Sequence, residues 1–177
     1  MEKVSFDLTD RIALITGGSR GLGRKMALAF ASHGADVVVA SRKLEQCEAT
    51  AKEIEALGRR ALPLACHVGK WDTLDGIVET VYGQFGRLDI LVNNAGMSPL
   101  YDSLTDISEE LFDKVIGVNL KGPFRLSALI GKRMAEGQGG NIINITSTGA
   151  ITPSPGAEPY GAAKAGLNAI TRSFAHA

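Results

Sequence analysis

An excess of charge of either sign is missing from this chain: 19 lysines and arginines face 19 aspartates and glutamates, for a formal net charge of zero. Without a positive field, the composition points to no nucleic acid and no anionic membrane surface as partner. Long apolar runs are missing too. The opening MEKVSFDLTDR carries acids where a secretory leader needs an apolar centre, so a cytoplasmic protein with no membrane partner is expected. Cysteine is scarce: Cys47 and Cys66 stand far apart and neither belongs to a CxxC pair. That argues against a disulfide framework and against a thiolate metal site. Low-complexity tracts are absent, and 177 residues with 45% hydrophobic composition suffice for one domain with a sizeable core.

What is abundant is glycine, with 21 residues clustered at segment boundaries and no repeat period. The segments between them alternate. RIALIT (11–16) and ADVVVA (35–40) are short β-branched runs of the kind covered on both faces of a parallel sheet. Between them lies a helix with apolar positions Leu22, Met26, Ala29 and Phe30 and a glycine stop at Gly34. A helix over about 43–57, a strand over 61–66, a helix over about 72–85, a strand over 88–93, a long helix over about 108–136 and a buried strand over 141–146 follow. The pattern predicts an α/β fold with a doubly wound (Rossmann) parallel sheet in the order 3-2-1-4-5. Ser108 is the expected N-cap of the long helix, ahead of Glu109 and Glu110, with Leu111, Val115, Val118, Gly122 and Leu126 as its inward stripe. Asn119 lies beside that stripe, where a side-chain amide needs partners. A last helix begins near Ala157 and reaches Ala177 without a stop signal, so residues 1–177 are read as one dinucleotide-binding and catalytic domain that is C-terminally incomplete.

After the first strand comes TGGSRGLG, with Gly17, Gly21 and Gly23 between a strand and a helix. Such a loop turns the chain sharply, lets a pyrophosphate approach the backbone and opens a helix whose free N–H groups bind anions. A nucleoside-triphosphate P-loop needs lysine directly after its last glycine; here Arg24, Lys25 and Met26 follow, and that rival fails. At the end of the second strand VVVASRK supplies Ser41, Arg42 and Lys43, while Asp36 sits at the opposite end. Arginine there suits a ribose 2′-phosphate, and Arg20 adds a second cation, so NADP(H) is favoured over NAD(H).

Tyr160 and Lys164 stand one helical turn apart on one face, where the ammonium favours phenolate over phenol and makes a usable proton donor. Ser147 follows the fifth strand, at the carboxyl edge where open α/β sheets bind ligands, and its hydroxyl can hold a carbonyl oxygen beside the tyrosine. Other polar residues read more plainly. His33 complements the end of a helix dipole and His176 faces solvent. Trp71 packs over a helix start, and the sequon Asn144-Ile145-Thr146 is set aside as lying inside a buried strand. Asn93 and Asn94 fix the sheet's centre and form part of the adenosine-side wall.

In TGGSRGLG, NNAG (93–96), the Asn119 of VNLKG, Ser147 and YGAAK, the chain resembles the short-chain dehydrogenase/reductase family along its whole length. The resemblance implies hydride transfer between a nicotinamide and a carbonyl or secondary alcohol, 3-oxoacyl-reductase-like or sugar/alcohol-dehydrogenase-like, without a metal. Tyr160 would be the general acid or base, Lys164 would also hold the nicotinamide ribose, and Ser147 would polarise the carbonyl. Asn119 would keep the long helix open around a water relay to Lys164. The implied cofactor-binding set is Gly17, Ser19, Arg20, Gly21, Leu22, Gly23, Ser41, Arg42, His67, Val68, Asn94, Ala95, Gly96, Tyr160 and Lys164. Two departures stand out: His67 and Val68 occupy the place of the family's adenine-contacting aspartate, and the family's last two strands and substrate-covering segment are missing. The segment 97–106 and the loop after Gly149 are expected to shape substrate choice. A homodimer or homotetramer is the expected assembly. A catalytically inactive dinucleotide-binding sensor or structural fragment is the alternative function.

Overall fold

A computed structural model describes residues 6–152 and 154–176. Five parallel strands form one sheet: β1 (Ile12–Thr16), β2 (Asp36–Ser41), β3 (Ala61–Ala65), β4 (Ile90–Asn93) and β5 (Asn141–Asn144), in the order β3-β2-β1-β4-β5. The helices are α1 (Gly21–Ser32), α2 (Leu44–Ala56), α3 (Leu74–Phe85), α4 (Glu109–Ile116), α5 (Gly122–Glu136) and α6 (Glu158–Phe174). The expected Rossmann sheet and strand order are both present. In the central register Leu14 pairs with Val38 and Leu91, and Ile15 with Val39 and Val92.

That register sorts side chains between two cores, because successive residues of a strand face opposite sides. Leu14, Val38 and Leu91 pack with Val78, Val81, Leu126 and Ile130 on the side of α3 and α5. Ile15, Val37 and Val39 pack with Ala27, Ala31 and Ile54 on the side of α1 and α2. Each fully buried leucine or isoleucine contributes about 1.5–3 kcal/mol. Unbroken apolar strands are the consequence of burying both faces.

Two expectations change. The buried face of α1 is Gly23, Ala27 and Ala31, whereas Leu22 is 60% exposed and Ala29 is exposed. Small residues let the helix lie against the glycine loop: a Cβ at Gly23 would collide with the Gly17 carbonyl oxygen. Strand β5 is not buried. It pairs with β4 alone and forms an edge of the sheet, with Ile143 42% exposed. What engages Asn144 is its own amide, whose Nδ2 donates to Thr171 Oγ1 at 2.9 Å while its Oδ1 accepts from Asn93 Nδ2 at 2.8 Å. The long helix is interrupted as the resemblance implied: Gly117–Lys121 is a π-helical segment joining α4 to α5. Asn119 causes the widening, since its Nδ2 donates to the carbonyl of Val115 at 2.9 Å and so takes the acceptor one turn back.

Several other local readings hold. Ser108 caps α4, its Oγ accepting from Leu111 N at 3.1 Å. Trp71 opens a short 3₁₀ turn ahead of α3 and stacks on Phe124. His33 Nδ1 lies 2.8 Å from the Ala29 carbonyl at the end of α1. Both cysteines are buried and unpaired in any disulfide, and burial raises the Cys66 thiol to about 11.

Candidate active site

At the carboxyl ends of β1, β2 and β4 lies a cleft of about 580 Å³. The glycine loop forms its floor. Gly17 and Gly21 have φ of +65° and +54°, which side chains rarely adopt, and Gly17 N donates to Ala40 O at 2.7 Å. The helix that the loop opens has no acidic residue in its first turn, so its positive end stands uncompensated toward the cleft. NNAG locks the loop in place. Asn94 Nδ2 donates to the carbonyls of Thr16 (2.9 Å) and Gly17 (3.3 Å), and Thr16 Oγ1 accepts from the backbone of Asn94 (3.0 Å) and Ala95 (3.1 Å). Asn93, turned to the other face, donates to Ser127 and Asn144.

Of the expected cofactor residues, Gly17, Arg20, Gly21, Leu22 and Gly23 line the cleft from the loop and the start of α1, Ser41 and Arg42 from the end of β2 and the residue after it, His67 and Val68 from beyond β3, and Asn94, Ala95 and Gly96 from beyond β4. Ser19, Tyr160 and Lys164 stand outside this lining. Ser19 is buried, and its Oγ has no hydrogen-bond partner among the described residues. His67 Nδ1 accepts from Gly69 N at 3.2 Å, which leaves the proton of the neutral ring on Nε2. The lining also includes residues that the sequence reading did not assign to it: Lys43, Gln46, Cys66, Met97, Lys114 and Val118. Lys43 carried a signal, directly after Arg42; the others are brought in by packing. Among the described residues four cations, Arg20, Arg42, Lys43 and Lys114, line the cleft and no carboxylate does. The residues fit a polyanionic dinucleotide: open space above Gly21, a free helix N-terminus and cations at the end of β2.

Beside the cleft, the four expected catalytic residues come together. Ser147 precedes a 3₁₀ turn (Thr148–Ala150), its Oγ accepting from Gly149 N at 3.1 Å. A Cβ built on Gly149 would stand 3.4 Å from Ser147 Oγ and 3.9 Å from the Tyr160 ring, so this glycine lies between the hydroxyl and the phenol ring. Lys164 is only 3% exposed; its Nζ lies 5.8 Å from the Tyr160 ring centroid and donates to Ile145 O at 2.7 Å. Burial holds the Lys164 ammonium below its ordinary pKa. Asn119 is fully buried, its Nδ2 donating to Met97 O (2.8 Å) as well as to Val115 O. Gly96 joins the two regions: a Cβ there would stand 3.0 Å from Asn119 Oδ1 and 3.8 Å from Lys164 Nζ. Gly166 lets α6 approach the π segment, with the Leu120 side chain 3.2 Å from where its Cβ would be.

A doubly wound parallel sheet and a glycine loop opening α1 place the chain in the Rossmann class of α/β proteins. Within it, the chain belongs to the short chain dehydrogenase family, whose model matches residues 11–177. It is 41% identical over 168 residues to a (2S)-[(R)-hydroxy(phenyl)methyl]succinyl-CoA dehydrogenase subunit of Thauera aromatica, covering 95% of this chain and 67% of that one. A metagenomic short-chain oxidoreductase solved in complex with NADP is 36% identical with a TM-score of 0.92, covering 96% of this chain and 76% of that one. A xylitol dehydrogenase solved with NAD+ is 25% identical with a TM-score of 0.89, covering 94% of this chain and 64% of that one. The chain spans 60% of the length of several curated relatives that it matches. Among the described residues no helix is long and apolar enough to cross a membrane.

Proposed function

We propose that the protein is an NADP(H)-dependent oxidoreductase that interconverts a carbonyl compound and its secondary alcohol. One observation carries this reading: Ser147, Tyr160, Lys164 and Asn119 converge around Gly149 and Gly96, beside a cleft lined by four cations. Tyr160 gives its phenolic proton to the carbonyl oxygen in reduction and takes it back in oxidation. Ser147 donates its hydroxyl hydrogen to the same oxygen and fixes the direction from which the carbonyl approaches. Lys164, held by the Ile145 carbonyl in a buried position, supplies positive charge next to the phenol as negative charge develops there. Asn119 keeps the π segment open behind Gly96 and lends Lys164 a polar surrounding. The nicotinamide, when bound, supplies or accepts the hydride.

Arg20, Arg42 and Lys43 favour the 2′-phosphate of NADP(H) over the hydroxyl of NAD(H), since none of the described residues lining the cleft is a carboxylate suited to the hydroxyl. The chemistry of the thioester-linked and sugar-alcohol relatives brings 3-oxoacyl and polyol substrates into the reading. A homodimer or homotetramer in the cytoplasm belongs to the same proposal. The test is Tyr160→Phe in the full protein, assayed by NADPH oxidation on a panel of β-keto esters, β-keto thioesters and ketones. A loss of more than about a hundredfold in kcat is expected, with NADPH affinity kept. Turnover within about tenfold of the parent removes Tyr160 from the role of acid.

A further inference from the structure

The segment that follows β4 is fastened at two points. At Met97 it is held by the Asn119 amide, which donates to Met97 O (2.8 Å) and accepts from Met97 N (3.2 Å). At Tyr101 the phenol donates to the Glu158 carboxylate and accepts from Glu158 N at 3.1 Å. The other carboxylate oxygen of Glu158 accepts from Gly156 N at 3.2 Å. One side chain thus ties together the segment after β4, the turn at Gly156 and the first turn of α6. Between the two fastenings lie Ser98, Pro99 and Leu100, a short span stiffened by proline. Its two anchors sit on the elements that carry Asn119 on one side and Tyr160 and Lys164 on the other.

We infer that Tyr101 and Glu158 are positioning residues that hold the 97–101 span as a fixed wall beside Tyr160, so that losing their contact weakens substrate binding and leaves proton transfer intact. The inference rests on the reduction proposed above. A hydroxyl that both donates and accepts fixes its partner in two directions, and a bond to a carboxylate is stronger than one between neutral groups. With that bond gone, the hydrogen bonds of Met97 to Asn119 are the span's remaining fastening among the described residues. Its ordering cost then falls on every binding event. The bond from Tyr101 holds the Glu158 carboxyl below its ordinary value of 4.5, so the acceptor is the carboxylate at neutral pH.

Tyr101→Phe, Glu158→Ala and the double variant of the full protein test this, with Glu158→Gln as the conservative control. Steady-state reduction of ethyl acetoacetate by NADPH, the NADPH dissociation constant, and chymotrypsin cleavage between residues 100 and 104 are measured. Each single variant is expected to raise KM about tenfold with kcat within about threefold, and to speed cleavage by a similar factor. NADPH affinity stays at the parent value, which shows the fold intact. The double variant is no worse than the more severe single one, and Glu158→Gln stays within about threefold of the parent KM. Unchanged KM and cleavage in Tyr101→Phe, or single effects that multiply in the double variant, overturn the inference. Should the parent fail to reduce the ester, or Tyr160→Phe keep its turnover, the proposed function falls instead, and the cleavage rates of the four variants decide the positioning role by themselves.

Discussion

Asn119 and Met97 form a closed pair: the amide of one satisfies both the N–H and the C=O of the other, at 3.2 and 2.8 Å. The same Nδ2 reaches Val115 O, so an NH₂ group faces two backbone carbonyls in a fully buried place. Asn119→Asp keeps the acceptor for Met97 N and replaces the donor by an oxygen aimed at both carbonyls. The carboxylate, desolvated and repelled, has a raised folded-state pKa. Its deficit is therefore small below the unfolded value of about 4 and grows as pH rises through it, reaching about 2–4 kcal/mol at neutral pH. Urea unfolding from acid to neutral pH measures it, and a deficit independent of pH counts against this geometry.

Lys164 offers a second linkage test. Burial lowers its pKa in the folded protein from the ordinary 10.5, so folding disfavours its charged form. Between the lowered value and 10.5 the unfolded chain binds more protons than the folded one, and stability contributed at this site rises with pH in that window. Compared with Lys164→Met, the parent is expected to gain stability on going alkaline. Parallel urea midpoints for the two proteins across that range contradict the assignment.

For the cofactor, Arg42→Ala separates the two dinucleotides. On the NADP(H) reading proposed above, losing the Arg42 guanidinium is expected to weaken NADPH about tenfold or more, with NADH within about threefold. Fluorescence titration of both reads the difference directly. Equal weakening of the two places Arg42 elsewhere on the dinucleotide.

Gly23→Ala tests the close approach of α1 to the loop. The added Cβ meets the Gly17 carbonyl, which is backbone and has no rotamer to yield. A cost of about 1–3 kcal/mol in urea unfolding is expected, accompanied by loss of NADPH binding because the loop is displaced. Gly76→Ala, where a Cβ meets nothing, serves as control and is expected to raise stability by a few tenths to about 1 kcal/mol through the helix preference for alanine.

Much of this was readable in the residues, and for definite reasons. DVVVAS and IALIT announced themselves because strands covered on both faces carry no polar alternation. The glycine loop was legible because positive φ at Gly17 and Gly21 excludes most other residues. At α1 the sequence showed part of the inner face: Met26 and Phe30 pack against the core, but the closest approach is made by the smallest residues, Gly23, Ala27 and Ala31, while Leu22 and Ala29 face out. NIIN reads as a buried strand, whereas among the described residues it pairs with β4 alone; neighbours in a sheet are not named by local sequence. Lys114 and Met97 reach the cleft, and Tyr101 reaches Glu158 across 57 residues, through tertiary packing that no short spacing encodes.

The π-helical widening at Gly117–Lys121 takes up one residue beyond the α-helical repeat, so the helices on either side of it keep their faces. Removing one residue there would close the segment to a plain α-helical turn, with Leu126 and Ile130 still toward the core, and would cost the wide turn in which Asn119 is held. The surplus residue therefore serves the site, and the layer beyond it would stand without it.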